Sequence, residues 1–182
     1  MKYLKLFESI DDVWLNSAMN GNYVIIERLI KDDIKNITNK IGNTALMLAI
    51  WNSEHEDQDS DYDSDDLHYV DIIEFLLKNN VDINIQNKFG DTALLMSLER
   101  DMYNIAENLI IIGADVTVKN NEDISVFDYD LAPFWNDDEI LDMILEKQPE
   151  CINLLNNSDI KISEDIRNKY VHLFNMNDIG LY

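Results

Sequence analysis

Gly42-Asn43-Thr44-Ala45-Leu46-Met47-Leu48-Ala49 and Gly90-Asp91-Thr92-Ala93-Leu94-Leu95-Met96-Ser97 are two versions of one phrase: a glycine, a threonine, a small residue and an apolar run. Each is followed by a second apolar pattern and a closing turn. The first companion is Ile72-Ile73-Glu74-Phe75-Leu76-Leu77-Lys78-Asn79-Asn80-Val81-Asp82-Ile83-Asn84, the second Ile105-Ala106-Glu107-Asn108-Leu109-Ile110-Ile111-Ile112-Gly113-Ala114-Asp115-Val116-Thr117. Each part of the pattern has a physical reason. Thr44 and Thr92 stand where a helix begins, and a hydroxyl there accepts a hydrogen bond from an N–H that has no partner inside the helix. Gly42, Gly90 and Gly113 stand at turns, where glycine reaches positive φ at little cost. Leu46, Leu48 and Ala49, then Ile72, Ile73, Leu76 and Leu77, recur at helical spacing and make apolar stripes. Small Ala45 and Ala93 let neighbouring helices approach.

These paired phrases resemble the ankyrin repeat, a β-turn plus two helices with a Thr-Pro-Leu-His-x-Ala signature and a period of about 33 residues. The resemblance implies an all-α fold, an ankyrin-repeat solenoid of helix-turn-helix units with β-turn tips: about four repeats plus terminal capping helices. The third repeat, about 87–119, has every landmark at the family spacing. The second, about 39–86, is longer, because Thr44 and Thr92 lie 48 residues apart. Its surplus falls in 53–69, between the two helices, where acids replace the apolar periodicity. A first repeat at about 11–38 is degenerate: Asp12 stands in for the threonine, and the Gly-Ala-Asp turn is missing at Asp33-Ile34-Lys35. A fourth, about 120–150, is placed by Ser125-Val126-Phe127 one period after Thr92 and by Ile140-Leu141-Asp142-Met143-Ile144-Leu145 as its second helix. Ala45 and Ala93 occupy the place of the family's proline, so the first helical turns are less rigid than in a consensus repeat.

One repeat cannot bury its apolar face alone, so the ends of such a chain need caps. Tyr3, Leu4, Leu6, Phe7 and Ile10 suit the first end. At the other, a C-terminal cap over 151–182 is expected from Cys151-Ile152-Asn153-Leu154-Leu155 and from Ile166, Tyr170, Val171 and Phe174, with Ser163 as N-cap of the latter helix. The whole of 1–182 reads as a single ankyrin-repeat domain.

With 182 residues, 46% of them hydrophobic, the chain can build a continuous core, and no apolar run approaches the length of a membrane span. The amino terminus carries no signal-peptide pattern, and the lone Cys151 excludes an intrachain disulfide. The expectation is a soluble, cytoplasmic monomer. The formal charge of −22, from 36 acidic and 14 basic residues, repels nucleic acid. Two readings of that charge compete: a merely solvated surface, or complementarity to a basic partner.

Segment 53–69 carries Glu54, Glu56, Asp57, Asp59, Asp61, Asp63, Asp65 and Asp66 with no lysine or arginine. The alternating aspartates look like a calcium loop, but no register supplies both the glycine and the glutamate of an EF-hand. A self-repelling disordered loop is the competing reading. His55, His68 and His172 form neither a ligand pair nor a triad order. No glycine-rich phosphate loop or Cys-x-x-Cys is present. No catalytic, cofactor-binding or metal residue is assigned, and no cofactor is expected.

The resemblance implies that partners are held by the turn tips and the adjacent ends of each first helix. Carried over residue by residue, those places are Met19 and Asn20 in the first repeat; Lys40, Ile41, Asn43, Trp51 and Asn52 in the second; and Lys88, Phe89, Asp91, Glu99 and Arg100 in the third. Ile41, Trp51 and Phe89 stand out, because a solvated tip or helix end has no folding need for a large apolar side chain. For Trp51 a structural role under the acidic segment competes, and Phe134 and Trp135 fit either core or contact. Asn84 lies in a Leu76-x5-Asp82-x-Asn84 pattern similar to one hydroxylated in some ankyrin proteins, or is simply a turn asparagine. The resemblance as a whole implies a non-catalytic module that binds another protein. Acidity inclines it toward a stoichiometric binder or inhibitor of a basic protein, such as a toxin immunity protein. The alternative is an ankyrin adaptor or scaffold of a virus, intracellular bacterium or protist.

Overall fold

The computed structural model describes residues 9–31, 33–53, 67–129 and 133–178. Most of the acidic segment, and the Tyr3, Leu4, Leu6 and Phe7 cap, lie outside them. Among the described residues the regular structure is helical, with one isolated antiparallel bridge between Thr38 and Thr44. The all-α ankyrin fold implied by the sequence is the fold observed. The chain divides into two compact units, one ending at Lys88 and the other starting at Phe89.

The first unit holds α1 (Ile10–Met19), α2 (Tyr23–Leu29), α3 (Ala45–Asn52) and α4 (Leu67–Lys78). Helix α3 opens as its sequence requires, with the Thr44 hydroxyl accepting from the Met47 N–H at 3.3 Å. Helix α1 opens differently from the expectation. Ser9, not Asp12, is its N-cap: the Ser9 hydroxyl accepts from the Asp12 N–H at 3.1 Å, and the Asp12 carboxylate accepts from the Ser9 N–H at 3.2 Å. This reciprocal capping box satisfies two N–H groups at once, which moves the helix start three residues ahead of the threonine-equivalent place. Helix α1 packs on α2 and α3, and α4 packs on α2 and α3. Trp14, Ala18, Ile26, Leu46, Ile50, Ile72, Ile73 and Leu76 are buried between them, and Tyr23 meets Phe75 edge-on at 5.5 Å.

The first repeat's missing Gly-Ala-Asp turn is replaced by two other devices. Ile34 is buried in a turn over 33–36, and the Asn36 side chain accepts from the Asp82 N–H at 2.7 Å. In the second repeat Asn80 takes the glycine's place with φ 53°, a left-handed conformation that asparagine tolerates better than most side chains.

The second unit holds α5 (Ala93–Glu99), α6 (Tyr103–Ile111), α7 (Asp138–Lys147), α8 (Ile152–Asn156), α9 (Glu164–Lys169) and α10 (Val171–Asp178). Thr92 caps α5 as Thr44 caps α3, accepting from the Leu95 N–H at 3.3 Å, and Ala93 to Leu98 are all buried. The fourth repeat departs from the expected pair of helices. After Ser125 come two 3-10 turns, Val126–Asp128 and Pro133–Asn136, before α7 supplies the expected second helix. Ser125 and Asp128 form a capping box, with the Asp128 carboxylate accepting from the Ser125 N–H at 2.7 Å. Aromatic packing fills the space. Phe127, Phe134 and Trp135 are buried, Trp135 lies 5.3 Å from Phe127 and 4.6 Å from Phe134, and its indole N–H donates to the Tyr129 carbonyl at 2.9 Å. Phe134 and Trp135 are therefore core residues.

Gln148 fastens the turn after α6, accepting from the Val116 N–H at 2.9 Å and donating to the Ala114 carbonyl at 2.8 Å. At the C-terminal end Ser163 caps α9 by accepting from the Ile166 N–H at 3.2 Å. The expected single face is broken, however. Helix α9 stops before Tyr170, and Val171 starts α10 with 49% of its surface exposed, while Ile166 and Tyr170 remain buried. Tyr170 donates to the Asp142 carboxylate at 2.8 Å, and Lys169 donates to the same group. Those two hydrogen bonds, Lys169 first, hold the Asp142 carboxyl below its ordinary range.

The turn glycines make a graded prediction. Gly42, Gly90 and Gly113 have φ of 89°, 82° and 99°. A side chain at Gly113 would meet nothing within 4 Å, whereas at Gly42 it would come within 2.9 Å of the Asn87 backbone and at Gly90 within 2.8 Å of the Asn121 backbone. Gly113→Ala should cost about 1–2 kcal/mol from backbone conformation alone. Gly42→Ala and Gly90→Ala should cost more, because backbone must also move. Urea denaturation of the three variants checks the order.

Cys151 is buried, and burial, with the Glu150 charge behind it, pushes its thiol up to about 12. A pKa raised on folding means that the folded state holds the proton more tightly. The associated stability is complete below about pH 9 and is lost as pH climbs towards about 12. Disulfide reagents at pH 8 should therefore label Cys151 only after denaturant is added. Stability should fall above pH 9 less steeply in Cys151→Ala than in the wild type.

Candidate protein-binding site

The tips are built by asparagine. Asn39, Asn87 and Asn120 each precede a helix-capping residue, Thr44, Thr92 or Ser125, by the same spacing. In the first unit the Asn39 side-chain oxygen accepts from the N–H groups of Ile41 (3.0 Å) and Asn43 (2.9 Å), while its backbone bonds Asn43 and Gly42. In the second unit the Asn120 side-chain oxygen accepts in the same way from Glu122 and Ile124, each at 3.0 Å, and Asp123 takes the glycine's place with φ 67°. An asparagine oxygen that closes its own turn leaves the two residues after it at the outermost point of the loop.

Further bonds steady each tip. Within the first unit the Lys88 N–H donates to the Ile41 carbonyl at 2.8 Å, and Asn87 donates its amide to the Asn43 side chain at 3.0 Å. Within the second, the Asn121 N–H donates to the Phe89 carbonyl at 2.9 Å, and the Asn120 amide to the Asp91 carboxylate at 2.9 Å. These asparagines escaped the sequence reading, although their signal was present: Asn at a fixed distance before each cap.

Of the expected contact residues in the first unit, Ile41 is 43% exposed, Trp51 46% and Met19 43%, and Lys40 is exposed. Asn43 is a correction. It is only 7% exposed, and its side chain accepts from Asn87, so it holds the tip together and does not face outward. Asn52 is half-buried, its amide donating back to the Leu48 carbonyl at 2.8 Å. In the second unit Phe89 is 58% exposed, Glu99 is exposed, and Asp91 and Arg100 are half-buried; Lys88, which ends the first unit, is exposed.

The second unit also brings together what the sequence left apart. Phe89, Asp91 and Glu99 line one cleft of about 200 Å³ with Asn120, Glu122 and Tyr129. The electrostatics of the cleft register on Tyr129. Its phenol is pushed up to about 12, first by burial and then by the charges of Glu99, Asp91, Asp128 and Glu122. Among the described residues, no group of three His, Cys, Asp or Glu is placed to hold a metal ion, and no helix is long and apolar enough to cross a membrane.

Comparison with known proteins agrees with this geometry. The family model described as ankyrin repeat matches residues 41–88, and that described as ankyrin repeats (many copies) matches 67–110. A curated ankyrin repeat protein of Rickettsia felis is 42% identical over 57 residues, which is 29% of this chain and 25% of that protein. The structure is similar to a chain of the solved complex titled Bd0816 predatory endopeptidase from Bdellovibrio bacteriovorus in complex with immunity protein Bd3460. That similarity has a TM-score of 0.52 at 28% identity, over 76% of this chain and 65% of that one. This chain thus spans about a quarter of the curated relative and just under two thirds of the structural one. Helix pairs, capped first helices and asparagine-closed tips define a repeat protein of the helical class. The chain contains ankyrin repeats across residues 41–110, and such repeats constitute a protein–protein interaction module.

Proposed function

We propose that this protein is a stoichiometric, non-catalytic binder that inhibits a basic protein in the cytoplasm, acting as a monomer. The observation that carries the reading is the exposure of Ile41, Trp51 and Phe89, three large apolar side chains at tips or helix ends, on a chain of formal charge −22. Apolar anchors supply residence time, and a negative field supplies encounter rate and rejects acidic competitors. Each compact unit contributes contacts: Met19, Lys40, Ile41, Trp51 and Lys88 from the first, and Phe89, Asp91, Glu99 and Arg100 from the second. The similarity to a chain of an endopeptidase–immunity protein complex supports inhibition as the outcome of binding.

The test is partner capture from the native source followed by kinetics. The association rate should fall steeply as ionic strength rises, since exposed charges are screened beyond about 8–10 Å at physiological salt, and the captured partner should lose its own activity at one-to-one stoichiometry. A salt-independent association rate would remove the basic partner from the reading. Binding that leaves the partner active would make the protein an adaptor.

A further inference from the structure

The cleft of the second unit combines two kinds of wall. Phe89 offers a ring that is 58% exposed, and Tyr129 a second, half-buried ring. Asp91, Glu99 and Glu122 offer carboxylates on the same cleft. Lys88 and Arg100 adjoin Phe89 and Glu99 in sequence, and Lys119 pairs with Asp123 at 2.9 Å; none of these residues is part of the cleft's lining. The Asn120 amide donates to one oxygen of Asp91, which fixes that carboxylate's position.

We propose that this cleft is the seat of one arginine side chain of the partner protein, its guanidinium stacked on the Phe89 ring and paired with Glu99 and Glu122. The assignment rests on the reading of a basic partner given above and names the group such a partner would insert. A guanidinium is planar, so it stacks on an aromatic face, and its donors fork towards carboxylates; it is also less strongly hydrated than an ammonium, and so costs less to bring into a cleft. The Tyr129 phenol, raised first by burial, is raised further by Glu99, Asp91, Asp128 and Glu122, and three of these carboxylates line the cleft and give it a negative potential.

The experiment uses the full chain labelled with nitrogen-15 and three small probes: N-acetyl-arginine methylamide, its lysine counterpart, and its citrulline counterpart, which keeps the shape of arginine without the charge. The arginine probe should shift the backbone amide signals of Gly90, Asn121, Glu122 and Tyr129 in a saturable way. The lysine probe should bind more weakly, and citrulline should leave those signals in place. In a Glu99→Gln/Glu122→Gln variant the arginine affinity should fall roughly tenfold, from two lost ion pairs at a partly exposed site. Both residues are exposed, so an otherwise unchanged spectrum will show that the fold is intact. Equal binding of citrulline, equal binding of lysine, shifts scattered over the acidic surface, or an unchanged affinity in the variant would each overturn the assignment. The wider reading fails on a different measurement, the salt dependence of partner association, so the two failures can be told apart.

Discussion

Leu46→Ala and Leu94→Ala should each lower the unfolding free energy by about 2–5 kcal/mol, the range for truncating a buried leucine. Leu46 lies inside α3 and Leu94 inside α5, and neither exposes more than 1% of its surface. Truncation removes apolar contact and leaves a cavity that helices pinned by Thr44 and Thr92 cannot easily close. A loss of that size is a large part of the stability of a small domain. Urea melts of both variants beside the wild type are the measurement. Two unchanged midpoints would mean that these leucines are not packed in the core as α3 and α5 place them.

Trp51→Ala and Phe89→Ala should each weaken partner binding by roughly 2 kcal/mol or more, near thirtyfold in dissociation constant, while leaving melting curves close to wild type. The separation between the two readouts is the point. A residue needed for packing would lose stability and binding together, whereas an exposed anchor loses binding alone. The change should fall mainly on the dissociation rate. If the anchor variants bind like the wild type while substitutions at Ile111 or Ile112, exposed at the end of α6, abolish binding, the recognition face is elsewhere.

What the sequence disclosed, it disclosed through short-range physics. Thr44, Thr92 and Ser163 each act on an N–H three residues away, and the glycines of the turns act on their own backbone, so reading along the chain was sufficient. The start of α1 lies at Ser9 because Ser9 and Asp12 satisfy each other, a pairing that Asp12 alone does not display. In the fourth repeat Ser125 and Asp128 spell a helix start, yet the turn they open is 3-10 and closes at Asp128. Asn43 was placed among contact residues by its position at a tip. Its inward turn depends on Asn87, 44 residues away, which no local pattern reveals. The cleft was hidden for the same reason. Glu122 and Tyr129 belong to the least regular repeat, and only the folded chain sets them beside Phe89 and Glu99.

The asparagine-closed tips divide labour in a way that bears on how such a chain changes over generations. In Asn39–Thr44 the fold's demands fall on the first residue, which closes the loop, on the glycine, where a side chain would meet the Asn87 backbone, on the inward-turned Asn43, and on the threonine that opens the next helix. The corresponding tip at Asn120–Ser125 meets the demands of closure, turn and helix start with asparagine, aspartate and serine. Between those fixed points stand Lys40-Ile41 in one tip and Asn121-Glu122 in the other, pairs with nothing in common chemically. The scaffold thus tolerates a lysine-isoleucine pair and an asparagine-glutamate pair in one setting. A lineage can redirect such a protein to a new target by rewriting two codons per loop, and a designer can diversify those codons in a library while the asparagine, the turn residue and the cap are held constant.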